Sequence, residues 1–407
     1  MTYIEERDYV RELAIKVAEL ASTPENESVK KRWRDVNALR KPDRAPVWCC
    51  PVGCWNELLP DDSLQCSDPF LRGIERELRQ ILIKHDIGDD TPIQDFWPVP
   101  ALFDVDPPNV WGVEIKRHTP EVAGGAWAYD PPLKSEEDFD RLTIPTYTYN
   151  QARTEEALAR AHDAIGDILP VRLTCGPNVN PTLETQAAEL RGLEQLLLDM
   201  AEKPDLVHRL MSHVRDATLA VMDQMEATGL LTFNGIGPMY ESDPIGTAPE
   251  NGRLTYANLW GHANNQEFDR ISPRMWEEFA LSYQLPVLTR FGLVSYGCCD
   301  DLTDKIDGVL TIPNLRIFVC SAWTNLDRVI EKCGTNYTIM WRQKASDVVF
   351  ARDCELDRIR HHLEEGMRKL QGCCYQVVLR ELQTLAGHAD RLHQWTRIAV
   401  EIAEKYA

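Results

Sequence analysis

FGLVSYGC (291–298), NLRIFVC (314–320), YTIMW (337–341) and CYQVVLREL (374–382) carry the pattern from which the architecture follows. Each is a short apolar run without strict alternation, as expected of a strand buried on both faces. Helical patterns stand between them at 324–333, closed by Gly334, and at 353–370, and a last helix places Leu392, Trp395, Ile398 and Ile402 on one face. Strands alternating with helices predict a parallel sheet covered by helices. Toward the N-terminus, LTYANLWG (254–261), GLLTFNG (229–235), PVRLTC (170–175) and the segment 45–55 read as further strands, about eight in all. A helix with Leu206, Leu210, Val214, Val221 and Met225 on one face ends at Gly229, a C′ glycine, and another begins near Ser272-Pro273. The GxG after a strand, Gly235-Ile236-Gly237, lacks the third glycine and the acidic residue of a dinucleotide fingerprint. The expectation is therefore an α/β chain folded as one (β/α)8 TIM barrel over 1–407 rather than an open doubly wound sheet.

The N-terminal part is an elaboration of that barrel. Val10, Leu13, Val17 and Leu20 give the first 25 residues an amphipathic helix closed by STPENES, within a helical segment 1–45. From 57 to 165 proline is frequent and no clean period persists, so this region reads as insertion-rich and irregular. The 407 residues, 43% hydrophobic and 27% charged, are those of a globular chain with a large core. With 44 Lys+Arg against 64 Asp+Glu, the net charge of −20 makes nucleic acid and anionic membranes poor partners. The opening MTYIEERDYV lacks the basic and apolar regions of a secretory signal, and no run of about 18 apolar residues occurs, which predicts a soluble cytoplasmic protein.

Twelve cysteines in such a chain read as thiols or metal ligands rather than a disulfide framework. Three adjacent pairs occur, Cys49-Cys50, Cys298-Cys299 and Cys373-Cys374. On a strand, at most one of each pair can face a common centre. In a barrel the chemistry sits at the C-terminal ends of the strands. The residues there include Trp48, Cys50, Asn234, Trp260, His262, Tyr296, Cys298, Cys299, Cys320, Trp341, Arg342, Arg380 and Glu381. Free cysteine is usually a small buried hydrophobe, and for Cys175 and Cys320 that reading wins. Cys298-Cys299 differs, because it follows its strand directly and is followed by Asp300-Asp301. Zinc takes sulfur, nitrogen and carboxylate ligands, so Cys298, Cys299 and Glu381 form a candidate metal set, although a salt bridge to Arg380 or another residue explains Glu381 equally well. His262 is a candidate general base or ligand, against the commoner case of a satisfied polar histidine. His361-His362 reads as a solvated helix face. Trp48, Asn234, Trp260, Tyr296 and Arg342 are candidate substrate-binding residues, the aromatic ones, with Trp55, Trp127, Trp323 and Trp341, suiting a planar or cationic ligand while also filling cores.

AELRGLE (188–194), LWGHANNQEF (259–268), SPRMWEEFALSYQLPVL (272–288), FGLVSYGCCDDLTDKI (291–306) and the close VVLRELQTL…LHQWTRIAVEIAEKY together resemble the uroporphyrinogen decarboxylase superfamily over roughly residues 170–405. The likeness is greater to the branch related to cobalamin-dependent methyltransferases than to the haem-pathway decarboxylases. Where the latter carry an arginine-rich RQAGRY-type motif, this chain reads PVWCCPVGCWNELLP (46–60), without arginine. Where the former carry His-x-Cys-Gly for zinc, it has Tyr296-Gly297-Cys298-Cys299, so Cys298 matches the cysteine and Tyr296 replaces the histidine.

The resemblance implies an enzyme that passes a methyl group from a small methylated, methoxylated compound to a corrinoid, with zinc held by Cys298 or Cys299, Glu381 and a third group. No Asp-x-His-x-x-Gly corrinoid signature occurs, so the corrinoid would arrive on a separate protein docking over the barrel mouth. His262 and Glu381 are then the candidate catalytic residues, and a homodimer is a candidate assembly. The alternatives are a uroporphyrinogen decarboxylase-type lyase of tetrapyrrole biosynthesis, which holds carboxylates with cationic side chains and needs no metal, and a non-catalytic barrel that binds a methylated ligand or partner.

Overall fold

The computed structural model describes residues 1–118, 128–247, 249, 251–349 and 356–407, which leaves Trp127, Cys354 and the predicted start of the helix at 353 outside the described residues. The parallel strands are β1 (Val47–Pro51), β2 (Trp97–Pro100), β3 (Val171–Thr174), β4 (Trp260–Ala263), β5 (Leu293–Tyr296), β6 (Leu315–Cys320), β7 (Thr338–Gln343) and β8 (Cys374–Leu382). Six of them form one curled parallel sheet in the order β1-β8-β7-β6-β5-β4, and β2 and β3 pair with each other in a separate parallel ladder. A closed eight-stranded ladder is not formed among the described residues. GLLTFNG, expected as a strand, is not one. Instead the Thr232 amide donates to the Cys175 carbonyl at 2.9 Å, and Asn234 exchanges hydrogen bonds with the Trp260 backbone at 2.8 and 2.9 Å. The segment thus lies between β3 and β4 and is bonded to each without a backbone ladder of its own. The predicted strand 254–261 is shorter than expected, with a helical turn at Tyr256–Asn258 before β4.

Period-two alternation sorts the sheet residues into two environments. Trp48, Trp260, Leu293, Ile317, Val319, Met340 and Val378 pack together on the concave face. Cys49, Val294, Tyr296, Phe318, Cys320, Ile339, Trp341, Val377 and Leu379 pack outward with the helices. Both faces are largely buried, which explains why the strands read as continuous apolar runs. Continuing the same alternation, Cys50, His262, Ser295, Arg342 and Arg380 follow Trp48, Trp260, Leu293, Met340 and Val378 on the concave face, one step nearer the C-terminal edge.

The N-terminus forms two helices, α1 (Tyr3–Ala21) and α2 (Pro24–Asn37), within the segment 1–45. STPENES is the junction: Thr23 caps α2 by accepting the Asn26 amide, and Pro24 occupies the first turn, where its missing N–H costs nothing. The region 57–165 is also more regular than its prolines predict. It holds α3 (Pro69–Ile87), capped by Asp68, and α4 (Gln151–Ile165), and these bury Leu71, Ile74, Leu78, Ala161 and Ile165 against Val10, Leu13 and Val17 of α1 in a second core.

The end of α2 lies under the sheet. Asn37 Nδ2 donates to the carbonyls of Met239 (2.8 Å) and Glu241 (2.9 Å), Gln376 Nε2 of β8 donates to Asn37 Oδ1 at 2.9 Å, and the Thr338 hydroxyl of β7 donates to the Val36 carbonyl at 2.7 Å. This closes the N-terminal end of the sheet. The long helix α5 (Pro204–Thr228) ends at Gly229 with φ +67°, as its sequence predicts. Helices α6 (Leu326–Cys333), α7 (Leu356–Lys369) and α8 (Arg391–Lys405) cover the convex face. No helix among the described residues is long and apolar enough to cross a membrane.

Candidate active site

Two groups of polar side chains stand at the open, C-terminal end of the sheet. The first lies on the concave face. His262 of β4 pairs through Nδ1 with the Ser295 hydroxyl of β5 at 2.8 Å, and that hydroxyl pairs with the Tyr240 hydroxyl, also at 2.8 Å. Trp260 forms the floor, its indole N–H donating to Ser242 Oγ at 2.9 Å and its ring 5.4 Å from that of Tyr240. Above it opens a cavity of about 260 Å³ lined by Asn180, Asn234, Tyr240, Trp260, His262 and Phe291 among others. Burial, together with the nearby Arg380 and Arg342 guanidiniums, depresses His262 to about 4, so the imidazole is neutral at pH 7.

The second group is on the rim. Gly297 turns the chain out of β5 with φ +110° and delivers Cys298 and Cys299. The turn is fixed by the buried Asp300 carboxylate, which accepts the amides of Cys298 (2.6 Å) and Asn265 (2.9 Å), while its carbonyl accepts the Ser321 hydroxyl at 2.7 Å. The sulfurs of Cys298 and Cys299 are 3.6 Å apart, and the Cys299 thiol donates to Glu381 Oε1 at 3.2 Å. Glu381 reaches this point from the last turn of β8, where its φ is +64°, a conformation that bulky residues avoid and that is found at functional sites. Arg342 Nη1 ties the rim together, donating to Glu381 Oε1 and to the Cys298 carbonyl, both at 2.7 Å. The Cys298 thiol is lowered by the Cys299 hydrogen bond and, against the opposing effect of burial, by the charges of Arg342 and Arg380. Cys299 is raised, because Cys298 and Glu381 both retain its proton.

Of the residues singled out in the sequence, Cys298, Cys299, Glu381 and Arg342 are brought into one hydrogen-bonded group. His262, Trp260 and Asn234 line the cavity beside it, and Trp48 packs half-buried on the same face. Tyr296 is not there. It points to the convex side, fully buried, bonded to Gln284 (2.9 Å) and to the Trp276 indole (3.2 Å). Trp341 is likewise buried on that side against Gly366, whereas Trp323 is 48% exposed. The partner of Glu381 is Arg342 and not the adjacent Arg380. Of the cysteine pairs, Cys49 faces Lys84 and Asp89 behind β1, its sulfur 3.0 Å from the Lys84 Nζ, and Cys373-Cys374 stands at the opposite end of the sheet, at the start of β8. Sequence reasoning passed over Ser295 and Tyr240. Ser295 had a signal, a lone hydroxyl two residues after Leu293 in an apolar strand; Tyr240 lies in a loop whose path no local pattern indicates.

Two sulfurs and a carboxylate are donor types that zinc accepts. Their arrangement does not fit a three-ligand zinc. Glu381 is held by an arginine, and among the described residues no three His, Cys, Asp or Glu side chains are grouped to hold a metal ion.

No family model and no curated protein matches this sequence. Among solved structures, the chain is similar in fold to a methyltransferase from Methanosarcina mazei, with a TM-score of 0.52 over 92% of this chain and 98% of that one at 11% identity. At that identity the likeness is one of fold.

Proposed function

We propose that this chain is a methyltransferase that moves a methyl group from a small methoxylated compound to the corrinoid of a separate protein, on a (β/α)8 barrel whose ladder is interrupted between β1 and β2 and between β3 and β4. The observation that carries the reading is the meeting of Cys298, Cys299 and Glu381 at the C-terminal edge of the sheet, where barrel enzymes keep their chemistry. The resemblance of these segments to the methyltransferase-related branch supports it, as does the likeness in fold to a solved methyltransferase.

In this reading the donor enters from the one open end, since α2 closes the other. The Trp260 floor keeps water away from the reacting atoms, and the Tyr240–Ser295–His262 chain fixes one polar atom of the donor. Cys299 carries a proton on the rim, between Cys298 and Glu381, for the oxygen that loses its methyl group. The corrinoid is a substrate brought by its own protein to the open end.

No step in this account runs through a metal. Metal analysis of protein purified without a tag, beside the Cys298→Ser, Cys299→Ser variant, checks that: stoichiometric zinc lost in the variant would make these residues a ligand set. The function is tested by following methylation of cob(I)alamin with a panel of methoxyl, methylamine and methylthiol donors. Transfer from a methoxylated donor is expected. Donors that bind while none gives transfer would overturn the proposal in favour of a binding barrel.

A further inference from the structure

Two guanidiniums, of Arg342 and Arg380, stand on the adjacent strands β7 and β8 toward the C-terminal end of the concave face. Arg342 is 1% exposed, and its Nη1 is taken up by Glu381 and the Cys298 carbonyl, but its Nε and Nη2 hydrogens have no partner. Buried donors of a charged group are rarely left unpaired, because each costs its full desolvation. Nε and Nη2 form the side-on edge of a guanidinium, two parallel N–H groups spaced to take both oxygens of a carboxylate. Arg380, two residues beyond Val378 on the same face, makes no hydrogen bond or ion pair among the described residues and is partly exposed.

The place of the two guanidiniums is set by the groups that feel them. Both act electrostatically on Cys50 of β1, on Tyr240 of the loop before β4, on His262 of β4 and on Cys298 after β5. Those four groups surround the concave face, so the arginines lie between them. Glu381 is paired with Arg342, and no carboxylate among the described residues is paired with Arg380. His262, being neutral, neither adds to the positive charge nor offsets it. In a chain of net charge −20 such a cationic centre is not a consequence of overall composition.

We infer that the substrate carries a carboxylate, held by the free edge of Arg342 and by Arg380, with its methylated end directed to the cavity beside His262. This rests on the methyl-donor reading above and narrows it from a methoxylated compound to a methoxylated acid. Arg380, at the open end, meets the acid first, and Arg342 anchors it.

The test is calorimetric binding, without any methyl acceptor, of two matched pairs, 4-methoxybenzoate against 4-methoxybenzamide and methoxyacetate against methoxyacetamide. A charge-assisted pair predicts that at least one acid binds about tenfold or more tighter than its amide. Arg380→Gln should abolish that preference, and Arg380→Lys, which keeps the charge but loses the fork, should retain part of it. Arg380 is partly exposed, so both variants are expected to fold, with circular dichroism as the check. The inference falls if neither acid outbinds its amide, or if the preference survives Arg380→Gln unchanged. Inorganic phosphate that displaces the acid and itself depends on Arg380 more strongly than the acid does would assign the centre to a phosphate and overturn the carboxylate. Because binding is read without turnover, failed methyl transfer with intact acid preference removes the enzyme reading alone, and lost preference with intact transfer removes this inference alone.

Discussion

Gly297→Ala is the substitution whose effect the structure sets most narrowly. Gly297 joins β5 to the cysteine pair with φ +110°, a conformation an alanine rarely adopts. A Cβ built there lies 2.9 Å from Leu302 Cδ1 and 3.0 Å from both Val319 Cβ and the Val319 carbonyl. Leu302 and Val319 are both fully buried, so neither can swing away. The backbone penalty is about 1–2 kcal/mol and overpacking adds about 1–3 kcal/mol, which together predict a loss of about 2–5 kcal/mol. A chain of this size keeps enough stability to remain folded at 25 °C in the lower half of that range. Guanidinium unfolding followed by tryptophan fluorescence measures the loss. Gly73→Ala is the matched control, because Gly73 is exposed within α3 with nothing within 4 Å of its added Cβ, and the change should stabilise by about 0.5–1 kcal/mol. The variant also has a local signature: any shift of the turn separates Cys299 from Glu381, so alkylation of the two thiols should change in rate relative to the other cysteines. A Gly297→Ala loss below about 1 kcal/mol, or equal losses at both glycines, would refute the account of this turn.

Arg342→Met removes the partner of Glu381 and one of the charges that lower Cys298. Stability should fall by about 2–4 kcal/mol, below the full value for a buried pair because Glu381 is 21% exposed and can be hydrated, and iodoacetamide should alkylate the pair more slowly at neutral pH; unchanged alkylation would detach Arg342 from the thiols. His262 binds its proton near 4 in the folded chain and near its ordinary 6.5 when unfolded. Its contribution is complete above pH 6.5 and is lost as pH falls toward 4, by about 3 kcal/mol at most, and His262→Gln should flatten that part of the stability–pH curve; an identical slope in the variant would contradict the burial of a neutral imidazole. The Thr23→Ala change, which removes the cap of α2, should cost about 1 kcal/mol in the same unfolding assay.

The strands β5 to β8 are legible because they are buried on both faces, so each is a run of apolar residues that local sequence shows without help. Gly229 and Ser272-Pro273 are legible for a different reason: a helix end has unpaired backbone groups, and only a few residue types resolve them. GLLTFNG has the same apolar look as a strand and fails to form one, because its bonds to either side run through the Thr232 amide and the Asn234 side chain. Strand formation is a property of neighbours, and those lie far away in sequence. The helix α3 was hidden by the prolines around it, although Leu71, Ile74 and Leu78 repeat at helical spacing.

The same division runs through the candidate site. Its sequence alone determined that Cys298 and Cys299 leave a strand at the end where barrels keep their chemistry, and that Glu381 and Arg342 stand toward the same end of two others, since strand ends and period two are local matters. It could not determine that Glu381 pairs with Arg342 instead of with the arginine beside it, that Tyr296 turns outward, or that His262 is kept neutral by burial and by two guanidiniums from β7 and β8. Those outcomes depend on which face curls inward and on charges brought together across the sheet, and electrostatic interactions between residues on separate strands leave no periodicity to read. The tertiary structure thus turned a pair of unexplained cysteines into members of a hydrogen-bonded group with Glu381 and Arg342.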